Sequence, residues 1–289
     1  MRITAIALGL IFGFAASAHA EIDWAKVDQT IGRPSLAQSD GVHRFGLPRS
    51  DLRVTVDGIA IRPAFALGAW LAFEPMGDDA MVMGDLVLTQ AELNPVMTRL
   101  AQGGIQITAI HNHLLRAEPM TLYMHIEGRG NALKLAEALH AALTLTGTPP
   151  AAGSAAATGV LDGAALDRAM GRAGKASGDV YQFSIPRAET IMDGDMAVPA
   201  SMGTATAINF QPTGDGRAAV TGDFVLTEAE VNPVLATLRQ NGIEVTALHN
   251  HMLNDQPRLF FMHFWAVNDP AALARGLRAA LDKTNVARP

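Results

Sequence analysis

Residues 84–115 read GDLVLTQAELNPVMTRLAQGGIQITAIHNHLL, and residues 222–253 read GDFVLTEAEVNPVLATLRQNGIEVTALHNHML. The two stretches align without a gap at an offset of 138, with 20 of 32 positions identical. Self-similarity at a fixed spacing means that one structural unit is built twice. The match runs backwards, since Val42, Phe45, Pro48 and Arg49 answer to Val180, Phe183, Pro186 and Arg187. It runs forwards, since Leu135, Leu139 and Leu143 answer to Leu273, Leu277 and Leu281. Each unit is about 125 residues long, a normal domain size. Two such copies in one chain can pack about a pseudo-twofold axis as a covalent dimer. The boundaries expected are repeat domain 1 at 21–146, a linker rich in Pro, Gly, Ala and Ser at 147–160, and repeat domain 2 at 161–289.

Residues 1–20 stand outside the repeat. Arg2 precedes an apolar run over 5–16, and Ala18-His19-Ala20 closes it with small residues at the two positions a signal peptidase reads. The run is shorter than the roughly 20 residues a membrane span needs. The expectation is a secretory signal peptide, a periplasmic or secreted mature protein, and no integral membrane segment once the leader is removed. Losing Arg2 takes the net charge from −6 to −7. No long Lys/Arg run exists, which argues against nucleic acid as a partner. The chain has no cysteine, so disulfides, thiolate metal sites, iron–sulfur clusters and a cysteine nucleophile are excluded.

Within one unit, 22–31 and 161–170 read as short helices closed by Gly32 and Gly171. Strands are expected at 42–47, 52–56, 69–73 and 81–88, with Asp57-Gly58 as a turn. Thr89-Gln90-Ala91-Glu92 and Thr227-Glu228-Ala229-Glu230 have the capping-box pattern before a helix. Pro95 predicts either a kink there or a restart with Asn94 as cap. Next, 105–113 alternates, so Ile105, Ile107, Ala109, His111 and His113 are expected on one face. A strand at 120–127 and a helix at 131–143 follow. The fold class expected is α+β: two tandem homologous domains, each a mixed, mostly antiparallel sheet with helices on one face, close to a permuted ferredoxin-like sandwich. A crossover would make the strands ending at Leu88 and His113 parallel and bring Glu92, Asn94, Glu230 and Asn232 to the same rim.

Six of the eight histidines beyond residue 20 form two equivalent sets. His111, His113 and His125 map onto His249, His251 and His263. Residues i and i+2 of a strand project to one face, so two imidazoles can converge on one ion. A third from a neighbouring strand leaves an open position for water or substrate. His125 joins only if the hairpin register turns it to the same face. Nitrogen ligands without thiolate suit a transition metal ion such as zinc or copper. The first reading is therefore an exported protein binding a transition metal through one such set in each repeat. The second is a metal-dependent enzyme, of hydrolase or lyase type, acting on a small or cell-envelope substrate. In it Glu118 is the candidate base, and its counterpart Gln256 cannot ionise. The third is a binding module whose histidines hydrogen-bond loops and neighbours. A metal ion or a small molecule is the ligand expected in the first two.

Other signals are weaker. Arg49 and Arg187, each behind a proline, fit an anion site or, more simply, an ion pair. Met81, Met83, Met120 and Met124 read as core packing. At GDLVLTQAELNPVM…GIQITAIHNHLL and GDFVLTEAEVNPVL…GIEVTALHNHML…PRLFFMHFWA the chain resembles the LppY/LpqO family, secreted or lipid-anchored bacterial proteins classed as a domain of unknown function. The resemblance covers nearly all of the chain after residue 20 and implies an exported protein with two copies of the domain. It carries no activity. Lipid-anchored members have an N-terminal cysteine that this chain lacks, so the anchor does not carry over.

Overall fold

The computed structural model describes residues 21–150 and 160–288. The expected signal peptide and most of the expected linker lie outside the described residues. Each repeat forms one six-stranded sheet. In the first these are β1 (Leu36–Ala37), β2 (His43–Pro48), β3 (Gly68–Met76), β4 (Asp79–Thr89), β5 (Gln106–His111) and β6 (Thr121–Asn131), ordered β1-β2-β3-β4-β6-β5. In the second they are β7 (Lys175–Ser177), β8 (Val180–Pro186), β9 (Ala205–Pro212), β10 (Ala218–Thr227), β11 (Glu244–His249) and β12 (Leu259–Asn268), in the equivalent order. Every pairing is antiparallel. The crossover expectation holds: β4 and β5 both run against β6 and are parallel to each other, with β6 inserted between them. The order β3-β4-β6-β5 is that of a permuted ferredoxin-like unit.

Six helices, three to a repeat, cover one face of each sheet. They are α1 (Trp24–Ile31), α2 (Gln90–Gln102), α3 (Ala132–Leu143), α4 (Gly163–Met170), α5 (Glu228–Gln240) and α6 (Pro270–Leu281). Gly32 and Gly171 end α1 and α4 in the left-handed region, at φ +87° and +67°, where a residue with a Cβ is strained. Both capping boxes form, with Thr89 and Thr227 as caps. Pro95 and Pro233 sit inside continuous helices, so no restart at Asn94 occurs. Apolar side chains at helical spacing, such as Leu135, Ala136 and Leu139 of α3, fill the layer between helix and sheet.

Two local expectations are corrected. The strand expected at 52–56 is only Thr55–Val56. The Asp57-Gly58 turn folds it onto Ile59–Ala60 and then onto Ala117–Glu118, making a separate small sheet. The single-faced alternation over 105–113 also fails. Ile107 pairs with Ile126, but the next pair is Ala109 with His125, so Thr108 is an extra residue in a β-bulge. A bulge changes the phase of alternation. Ile105 and Ile107 therefore pack on the helix side, while Ala109 and His111 face the other way. The same bulge recurs between Val245 and Ala247.

The sheet faces left bare by the helices meet each other. A core drawn from both repeats lies there, including Val42, Ala72, Met81, Met83, Val198, Met202, Val225 and Phe261. The bulge residues tie the halves together reciprocally. The Thr108 hydroxyl donates to the His251 carbonyl, and its counterpart, the Thr246 hydroxyl, donates to the His113 carbonyl. Reciprocity of this kind is the signature of an isologous contact. Among the described residues, no helix is long and apolar enough to cross a membrane.

Candidate metal centre

The histidine face is set by register. Across β6, Asp85 lies opposite His125, which lies opposite Ala109, and His111 lies opposite Tyr123. Directly paired residues project to the same side of a sheet. His125 is therefore on the His111 face, as the metal reading required, and Asp85 joins it. In the second repeat Asp223, His263, Ala247, His249 and Phe261 are placed alike. Because these are the faces that meet, six imidazoles and two carboxyls come together on the pseudo-twofold.

Among the described residues, neither trio by itself forms a ligand group, because the two trios interleave. The closest ring pairs run between the halves. His111 and His249 stack with centroids 3.5 Å apart, His113 and His263 at 3.8 Å, and His125 and His251 at 3.7 Å. Within the first repeat, His111 lies 4.9 Å from His113 and 5.0 Å from His125. Among the described residues, four groups of side chains have ligand atoms within 4.8 Å of one another. They are His111/His113/His263, His111/His125/His249, Asp85/His113/His125 and Asp223/His249/His251. Two of the four mix the repeats and two lie within one repeat each, so the trios form one continuous cluster at the junction.

Backbone contacts orient the rings. His263 Nδ1 is 2.8 Å from the Gly222 carbonyl, and His125 makes the equivalent bond to Gly84. A ring that donates from Nδ1 presents the lone pair of Nε2, the usual arrangement of a metal-binding histidine. The flanking aromatics fix ring planes: Tyr123 stacks on His113 and Phe261 on His251, each at 3.3 Å. Asn250 donates to the Thr108 and Met252 carbonyls, so this asparagine shapes the turn.

All six Nε2 atoms are buried and lack a hydrogen-bond partner, as are Asp85 Oδ1 and Asp223 Oδ1. His113 Nε2 lies 3.6 Å from Asp85 Oδ2, and His251 Nε2 lies 3.3 Å from Asp223 Oδ2. Neither contact makes a hydrogen bond. Nor are they ion pairs, because the imidazoles are held neutral. Burial, and then repulsion from neighbouring imidazoles, holds His111, His113, His125 and His251 well below the ordinary histidine value. Burial pushes His263 down to about 4 and lowers His249, although Asp223 opposes both shifts. Burial and the nearby Asp223 raise Asp85 despite Arg44, and burial raises Asp223.

A cavity of about 570 Å³ reaches the cluster, lined among others by Arg44, Trp70, Asp85, Tyr123, Asp223 and His263. Volumes of this size suit a small molecule. The Arg44 guanidinium lies 4.2 Å from the Trp70 ring centroid and donates to the Ser201 carbonyl across the junction.

The other sequence candidates lie elsewhere. Glu118 is exposed on the small sheet, paired with Thr55, and neither lines the cavity nor joins a ligand group. Asn94 and Asn232 are exposed on α2 and α5. Glu92 and Glu230 are held by Arg49 and Arg187, both almost wholly buried, so the Pro-Arg repeats are internal ion pairs and not anion sites. Sequence reasoning missed Asp85 and Asp223. The available signal was a repeated Gly-Asp, at 84–85 and 222–223, charged in the middle of an apolar strand.

The chain belongs to the family described as Domain of Unknown Function (DUF1259), whose profile matches residues 25–145 and again 164–283. No curated protein matches it. Among solved structures it is similar to the trimeric bacterial microcompartment shell protein PduB, at 11% identity, 86% of this chain, 90% of that chain and a TM-score of 0.22. It is also similar to EtuB from Clostridium kluyveri, at 8% identity, 79% of this chain, 92% of that chain and a TM-score of 0.21.

Proposed function

We propose that this is an exported protein that binds a transition metal ion at the junction of its two repeats. One observation carries the reading: six buried Nε2 atoms from both halves converge without hydrogen-bond partners. A buried polar group left unsatisfied costs about 1–3 kcal/mol. Six of them would cost about as much as the roughly 5–15 kcal/mol of net stability of a whole domain. A purely structural role for the histidines is thus expensive, whereas one cation satisfies several lone pairs at once. His111, His113, His125, His249, His251 and His263 are the imidazole ligands, with Asp85 and Asp223 as oxygen donors. Neutral imidazole and carboxylate suit zinc or copper(II) over calcium or magnesium. Export is supported by the leader pattern at 1–20 and by the LppY/LpqO resemblance.

The cavity favours a second reading, a metal-dependent enzyme of hydrolase or lyase type on a small or cell-envelope substrate. A bound ion there would act as a Lewis acid toward a substrate oxygen. Asp85 and Asp223, which line the cavity, are better placed than Glu118 to hold or move a proton.

Elemental analysis of untagged protein from its native cells tests the metal reading. A stoichiometric transition metal is expected, with affinity reduced in His113→Ala and His249→Ala by at least the roughly 10–100-fold typical of removing an outer-shell partner alone. Protein that carries no metal as isolated and takes up none on reconstitution refutes it.

A further inference from the structure

We propose that the junction holds two metal ions side by side, one on Asp85, His113 and His125 and the other on Asp223, His249 and His251. The proposal deepens the metal reading above and rests on it. These two groups share no residue, and in each the ligand atoms lie within 4.8 Å of one another. Each supplies two imidazole nitrogens and one carboxylate oxygen, a donor set that leaves a divalent ion an open position. The groups touch: the His125 ring of the first stacks on the His251 ring of the second at 3.7 Å. The carboxyls also differ from ordinary buried acids. The Asp85 and Asp223 side chains are mostly buried, and each keeps a buried Oδ1 with no partner. Arg44 is the cation acting on Asp85, but it donates its hydrogen bond to the Ser201 carbonyl instead. A single divalent ion placed in either group would leave the other carboxyl oxygen unpartnered. Two ions satisfy both.

The two sites are not copies of each other. The pseudo-twofold carries Asp85/His113/His125 onto Asp223/His251/His263, but the second group closes on His249 in place of His263. His263 instead approaches His111 and His113. Both sites border the same cavity, through Asp85 and His113 on one side and Asp223 and His251 on the other. An oxygen-bearing small molecule entering it could meet both ions, the arrangement by which paired metals clamp a reacting oxygen.

The test is metal stoichiometry on the full protein, stripped of metal and dialysed against Zn²⁺. Two ions per chain are expected for the wild type and for His140→Ala, an exposed histidine outside the cluster. One ion is expected for Asp85→Asn and for Asp223→Asn. One ion per chain in the wild type overturns the pair and leaves the metal reading standing; none overturns both. Two ions retained in both Asp variants also overturn the assignment. Should those variants not fold, Cu²⁺-loaded wild type decides by electron paramagnetic resonance. Dipolar coupling between the two ions supports the pair, and two magnetically isolated ions refute it.

Discussion

Arg49 and His125 are both buried polar side chains that recur in the second repeat, as Arg187 and His263, yet their surroundings are opposite. Arg49 uses all its donors: two to Asp51, two to Glu92 and one to the Val87 carbonyl. Arg187 repeats the pattern with Glu189, Glu230 and the Val225 carbonyl. Glu92 also accepts from the Thr89 and Gly147 amides, and Glu230 from the Thr227 and Asn285 amides. These networks are closed, and they pin the starts of α2 and α5 and the segments after α3 and α6 to the sheet. The histidine cluster is open, with an unpaired nitrogen on every ring. Burial and duplication therefore do not separate a structural polar group from a functional one. Completeness of hydrogen bonding does.

The largest effect should come from breaking a closed network. Arg187→Ala leaves Glu230 and the Val225 carbonyl buried without their partner, and about 3–5 kcal/mol of stability should be lost in urea unfolding. The variant should still be stabilised by added Zn²⁺, which separates the two constellations. If it loses metal binding while folded, they are not independent.

An intermediate effect concerns pH, in metal-free protein. The histidines of the cluster titrate lower folded than unfolded, so the unfolded chain binds more protons below about pH 6.5. Stability should fall as pH drops from there toward the folded values, about 4 for His263. Burial alone would raise Glu92 and Glu230, but the arginine and amide bonds outweigh it and hold both below the ordinary range. Their contribution is full above about pH 4.3 and is lost only as pH falls through the depressed folded values. Unfolding measured against pH should show stability falling from about pH 6.5 downward, a loss that His263→Gln reduces and that the raised Asp85 and Asp223 partly offset, with Glu92→Gln reducing only the part below about pH 4.3. A single decline confined to the region below pH 4 contradicts the open cluster.

The smallest effect belongs to Glu118→Gln. The side chain is exposed and outside both constellations, so stability should move by no more than about 0.5 kcal/mol, with metal content unchanged. A drop in bound metal would return Glu118 to the site.

Much of the fold was legible because it is local or periodic. The glycine caps, the capping boxes and the paired hydrophobic stripes are short-range signals, and the repeat doubled each of them. The bulges at Thr108 and Thr246 were not legible, since alternation in sequence carries no mark of an inserted residue. Asp85 was hidden for a related reason: its neighbours in the site come from other strands, at a register fixed only by pairing.

Sequence by itself determined that two homologous α+β units exist, that cysteine chemistry is excluded, and that six histidines recur in matched positions. Tertiary structure decided which histidines are neighbours. Strand pairing turns each trio to the face its helices leave bare, and packing of those two faces brings the trios within stacking distance. Contacts between distant segments depend on how whole surfaces fit, and no spacing along one chain encodes that.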